Sequence, residues 1–214
     1  MMKSVFSDQL ESFADIYSKD VELVCMTHSQ SSYMDSLGKE ILNAREDLEL
    51  QWIQSLSDLR IVDEMLPKSV DSAGKKMLAD QIKESCGMLQ ETLDCKYVGV
   101  RLVTLNKPMC PRFHVDQIPC RLLITISGGG TEWIANQDVD WEVFEDRTNQ
   151  DVPLKEKKRV NQFKAGEWSL LKGGTWQSKF NGVVHRSPNI YEDRLMLSLC
   201  LLYTSDAADE KRCV

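Results

Sequence analysis

The chain has 214 residues, 42% hydrophobic and 28% charged, with a formal net charge of −7. That balance suits one globular domain, or one domain with a helical extension, with enough apolar material for a core. It disfavours non-specific nucleic-acid binding, and no apolar run approaches the length of a membrane span. The opening MMKSVFSDQLESFADIYSKD is acidic and has no apolar signal core. Seven cysteines at irregular spacing therefore read as reduced thiols, and the expected location is cytoplasmic.

Residues 1–95 read as a helical region. SLGKEILNAREDLELQWIQSLSDLRIVDEML sets Leu37, Ile41, Leu48, Trp52, Leu56 and Leu59 at spacings of three, four and seven, the stripe of an amphipathic helix. Pro67 marks a stop. SVDSAGKKMLADQIKESCGMLQETLDC then predicts a second helix with Met77, Ile82, Met88 and Leu89 buried, the methionines as core filling.

Near Lys96 the period changes to two. KYVGVRLVTLN puts Val98, Val100, Leu102 and Thr104 on one face and Tyr97, Arg101 and Val103 on the other. The stretches CRLLITIS, TEWIA, DWEVFE, NQFKA, EWSLLKG, GVVHRS and RLMLSL predict further short strands. The Gly128–Gly130 triplet between two of them is a turn signal, without the context of a phosphate-binding loop. TNQDVPLKEKKRVNQ predicts a surface loop. The expected class is α+β, a helical N-terminal half packed on a C-terminal β-sandwich or barrel over 96–199.

The chemistry is concentrated in CPRFHVDQIPC, residues 110–120. On extended backbone His114 and Asp116 project from the same face and reach one point. His185, in GVVHRSP, is the other histidine of the β half. Two imidazoles and one carboxylate form the facial triad of non-haem Fe(II) oxygenases, which leaves coordination positions open. Arg194, nine residues after His185, could clamp a carboxylate such as the free end of 2-oxoglutarate, with Arg121 as a competitor. A second reading joins Cys110, His114, Cys120 and His185 into a closed Cys₂His₂ zinc site. Against it, the spacing lacks a CxxC knuckle and Asp116 is left without a role. A third reading is a non-catalytic, cupin-like small-molecule binding module that uses the same pocket.

The order HxD, long β stretch, His, then Arg resembles the Fe(II)/2-oxoglutarate dioxygenases, which are built on a double-stranded β-helix, or jelly roll. SGGGTEWI resembles the strand entry of prolyl-hydroxylase-like members, and KAGEWSLLKGG the turn and strand before the distal histidine. The resemblance covers residues 97–199. CPRFHVDQIPCRLLITISGGGTEWI with GVVHRSP and DRL more closely resembles an uncharacterised family, DUF1826. The resemblance implies iron bound by His114, Asp116 and His185 and 2-oxoglutarate held by Arg194. Arg186, Ser187 and Trp133 are candidates for the substrate side. No substrate signature of a known subfamily accompanies these motifs, so the substrate, small molecule or protein, is left open. Residues 200–210, CLLYTSDAADE, resemble a translated sequencing adapter, so 200–214 is expected to be a non-native tail.

Overall fold

The computed structural model describes residues 1–44, 47–55, 72–176 and 180–202. In chain order it contains β1 (Lys3–Ser7), a 3-10 helix (Leu10–Tyr17), β2 (Val21–Thr27), α1 (Ser31–Asn43), β3 (Glu49–Ser55) and α2 (Ser72–Leu93). Then come β4 (Tyr97–Leu105), β5 (Cys120–Ser127), β6 (Glu132–Ile134), a 3-10 turn (Asn136–Asp138) and α3 (Trp141–Glu145). β7 (Asn161–Gln162), β8 (Glu167–Lys172), β9 (Val184–Arg186) and β10 (Arg194–Leu202) follow.

Seven strands form one sheet in the order β1-β2-β8-β5-β10-β4-β3, and β7-β6-β9 form a second. Period-two alternation gives the large sheet two working faces. Val98, Val100, Leu102, Leu122, Ile124, Leu197 and Leu199 point to the main core, which α1 and α2 cover. Helix α1 buries Met34, Leu37, Gly38 and Ile41 at helical spacing. It lies so close to β5 that a Cβ on Gly38 would fall 2.6 Å from the Ser127 Cβ. Helix α2 buries Leu78, Ile82, Cys86 and Leu89. The other face of the sheet carries Leu23, Cys25, Leu123 and Leu171, which pack with Trp133 and Phe163 in a smaller core.

Register ties the inner face together. One row runs Phe6–Cys25–Ser169–Leu123–Ser198–Arg101–Gln51 across all seven strands. Cys25 and Leu123 of that row belong to the smaller core, and Ser198 and Arg101 line a cavity.

The N-terminal region is not the helical half its spacing suggested. β1, β2 and β3 lie within residues 1–95 and join the same sheet as the later strands. The stripe that began at Leu37 is helical only to Asn43. Trp52 and Gln54 alternate inward from β3, while Leu56, Leu59 and Pro67 lie outside the described residues. Apolar spacings of four satisfy a strand as well as a helix, and pairing with β4 decided for the strand. DWEVFE, expected as a strand, is the short helix α3, because the Asp140 side chain caps it by accepting from the Val143 N–H at 3.3 Å. Cys200–Leu202 continue β10, and 203–214 lie outside the described residues. No helix among the described residues is long and apolar enough to cross a membrane.

Leu197 is fully buried on the central strand beneath the helices. Leu197→Ala should cost about 2–5 kcal/mol of unfolding free energy, read from the denaturant midpoint. A loss well under 1 kcal/mol would mean that this layer packs loosely.

Candidate metal centre

His114 and His185 meet through the backbone. Each donates its N–H to the carbonyl of the other at 2.9 Å, an isolated antiparallel bridge that adds His114 to the edge of β9. β9 is held in turn by β6, with Trp133 opposite His185. The two imidazoles lie 4.5 Å apart between ring centroids and are tilted by 49°. Asp116, two residues on, turns its carboxylate to both: Oδ1 is 3.7 Å from His114 Nε2, and Oδ2 is 3.7 Å from His185 Nε2. One donor atom from each of the three lies within 4.8 Å of the other two. The Asp116 loop is backed by Gly173 and Gly174. The Gly174 N–H donates to the Asp116 carbonyl at 2.8 Å, and a Cβ on Gly173 would meet the Ile118 carbonyl oxygen at 1.9 Å.

Hydrogen bonding fixes what each ring presents. His114 Nδ1 lies 3.0 Å from the Arg112 carbonyl, and His185 Nδ1 lies 3.0 Å from the Val183 carbonyl. A carbonyl only accepts, so in each neutral ring Nδ1 carries the proton and Nε2 keeps its lone pair. Burial first, with His114 and Arg121 adding to it, pushes His185 down to about 4 against the opposing pull of Asp116. The ring is therefore uncharged at neutral pH, as a metal ligand must be.

Asp116 has a dedicated cation. Arg121 Nε donates to Oδ2 at 2.6 Å, and Arg121 Nη1 donates to Ser198 Oγ at 3.1 Å. Burial would raise the Asp116 carboxyl, but His185, Arg121 with its hydrogen bond, and His114 outweigh it and hold the group below the ordinary carboxylate range. With His185 uncharged, Arg121 is the fixed cation that does this at neutral pH.

The three residues open onto a cavity of about 200 Å³ that Arg121 and Arg186 also line. Arg194 does not itself line this cavity; it sits two positions before Met196, a lining residue on the same strand. It is 2% exposed, and its Nε and Nη1 have no hydrogen-bond partner. Arg186 bonds Glu132 at 2.6 Å, lies 4.3 Å over the Phe113 ring, and separates this cavity from a second one of about 160 Å³. Trp133, expected toward the substrate side, does not line the cavity. It stacks on Phe163 at 5.6 Å inside the smaller core, because alternation along β6 turns it inward.

The Cys₂His₂ alternative does not assemble. Cys110 lines the cavity, but Cys120 belongs to the helix-side core, on the opposite face of β5 from Arg121. Burial pushes the Cys120 thiol up to about 12. Among the described residues, the group able to hold a metal is His114, Asp116 and His185. Sequence reasoning passed over Arg101, Thr131, Met196 and Ser198 as cavity residues. The available signal was parity: Arg101, Ser198 and Met196 occupy alternate strand positions opposite to the core residues.

The family described as "Protein of unknown function (DUF1826)" matches residues 7–200. No curated protein matches the chain. Among solved structures, the chain is similar to dioxygenase for auxin oxidation 1 from Arabidopsis thaliana in its 2-oxoglutarate binary complex. The TM-score is 0.59 and the identity 10%, covering 97% of this chain and 94% of that one. A dioxygenase for auxin oxidation from rice gives 0.54 and 10%, covering 96% and 84%. A Pseudomonas putida prolyl-4-hydroxylase gives 0.50 and 9%, covering 95% and 98%. At such identities the likeness is one of fold.

Asp116 stabilises the folded chain above the ordinary carboxylate range and loses that contribution only as pH falls through its lowered value. Arg121→Gln should shift the acid-unfolding midpoint to higher pH. An unchanged midpoint would remove Arg121 as the partner that keeps Asp116 ionised.

Proposed function

The chain belongs to the DUF1826 family, and we propose that it is an Fe(II)- and 2-oxoglutarate-dependent oxygenase whose two sheets form a double-stranded β-helix. The observation that carries this reading is the convergence of His114 Nε2, Asp116 and His185 Nε2, with both Nδ1 atoms tied to backbone carbonyls. Two imidazoles and one carboxylate suit Fe(II) and leave coordination positions open.

The residues present also fit the co-substrate. A buried guanidinium with two unpartnered nitrogens lacks an acceptor, and a carboxylate supplies one bidentately. That supports Arg194 as the clamp. Arg121, already bonded to Asp116 and Ser198, becomes the residue that orients the ligand carboxylate. When bound, iron with 2-oxoglutarate and dioxygen would supply the oxidation of a substrate C–H bond, one oxygen atom going to the substrate and the other to succinate as the co-substrate loses CO₂. His114 and His185 hold their lone pairs toward one point without rotating.

Anaerobic addition of Fe(II) and then 2-oxoglutarate to metal-free protein should produce a weak visible charge-transfer band that requires both. His114→Ala and His185→Ala should each abolish it. If instead Zn²⁺ bound tightly through Cys110 and the band were absent, the oxygenase reading would be lost. Arg194→Gln should keep the metal and weaken 2-oxoglutarate by about 3 kcal/mol, on the order of 100-fold. Unchanged affinity would return the clamp to Arg121.

A further inference from the structure

The protein carries a net charge of −7, yet the residues lining the metal-site cavity include Arg101, Arg121 and Arg186 against one carboxylate, Asp116. Two of these cations are committed. Arg121 bonds Asp116 and Ser198, and Arg186 bonds the largely buried Glu132 at 2.6 Å. Arg101 is different. Its side chain is mostly buried, and its Nε has no hydrogen-bond partner. Its Nη1 faces only the Met109 sulfur, a weak acceptor. Its Nη2 reaches Glu49 at 3.1 Å, and the Glu49 side chain is 74% exposed on the sheet edge. That exchangeable surface carboxylate marks what the guanidinium accepts.

Position connects Arg101 to the chemistry. Arg101 stands opposite Ser198 in the register of β4 and β10, and Ser198 accepts from the same Arg121 that holds Asp116. The neighbouring wall is apolar and adaptable, formed by Leu123, Met109 and Met196. We propose that the cavity takes a small organic acid as substrate, its carboxylate on the Arg101 guanidinium in place of Glu49 and its apolar body against Leu123 and the two methionines. Calling that ligand the substrate rests on the oxygenase reading; the anion site itself does not. With Arg194 assigned to the co-substrate and Arg121 to Asp116, Arg101 is the cavity guanidinium whose acid partner can be displaced.

The test uses fluorine NMR of 4-fluorophenylacetate and its neutral isostere 4-fluorophenylacetamide, titrated onto the full chain with and without saturating 2-oxoglutarate. The carboxylate should bind at least about tenfold tighter than the amide, and Arg101→Gln should erase the difference. Glu49→Gln, an exposed change that spares the fold, should tighten the carboxylate because the competing acid is gone. The 2-oxoglutarate charge-transfer titration should be the same in both variants and in the wild type. Equal binding of acid and amide, undiminished carboxylate binding in Arg101→Gln, or no tightening in Glu49→Gln each overturns the anion site. Carboxylate binding that disappears in Arg194→Gln or under saturating 2-oxoglutarate also overturns it, since the probe then sits on the co-substrate clamp. An Arg101-dependent carboxylate preference in a protein that never develops the iron band would keep the anion site and remove the oxygenase reading.

Discussion

The reciprocal backbone bridge between His114 and His185 is the constraint on which the site depends. It joins two segments seventy-one positions apart and fixes the separation of their rings before any side chain acts. Asp116 then reaches both imidazoles only because extended backbone returns its side chain to the same face two residues later. The carbonyls of Arg112 and Val183, each two residues before its histidine, set the tautomers from the segment that leads into each ring. Ligand position, ring orientation and protonation thus all follow from main-chain geometry. Such a site would lose little freedom on binding a metal.

Around that frame the arginines divide by what they can reach. Arg121 compensates a carboxylate that burial would otherwise neutralise, and it does so from a rigid strand rather than a loop. Arg186 is pinned between Glu132 and the face of Phe113. Arg194 and Arg101 keep unpartnered nitrogens at two places on the inner face of the sheet. In an acidic protein these fixed cations concentrate a local positive field, a physical reason for an anion to enter here rather than elsewhere.

The β half was legible because its strands alternate cleanly: Val98, Val100 and Leu102 face the core as their spacing required. The spacing of HxD likewise announced that two donors would meet. The N-terminal strands were not legible for a definite reason. β2, VELVCMT, is buried on both faces and shows no alternation, and Trp52 continues a spacing of four that began in a helix. The same parity rule that read β4 could have separated Cys120 from Arg121, since adjacent residues on a strand face opposite ways. Trp133 was misplaced because a large aromatic after a glycine turn satisfies an entrance as well as a core, and only its stacking on Phe163 decides.

Strand β10 is the latest described strand in the chain, yet it lies between β5 and β4 near the middle of the sheet. Before it docks, β1-β2-β8-β5 and β4-β3 are separate ribbons, each with an open edge. The pairings of β10 that join these ribbons are of long sequence separation. On a ribosome the earlier strands would emerge and wait with those edges exposed, an interval in which intermolecular pairing competes with insertion. Arg194 and Ser198 travel on that strand. Docking of β10 thus sets Ser198 between Arg101 and Arg121, so the strand that completes the sheet also joins the two guanidiniums of the cavity.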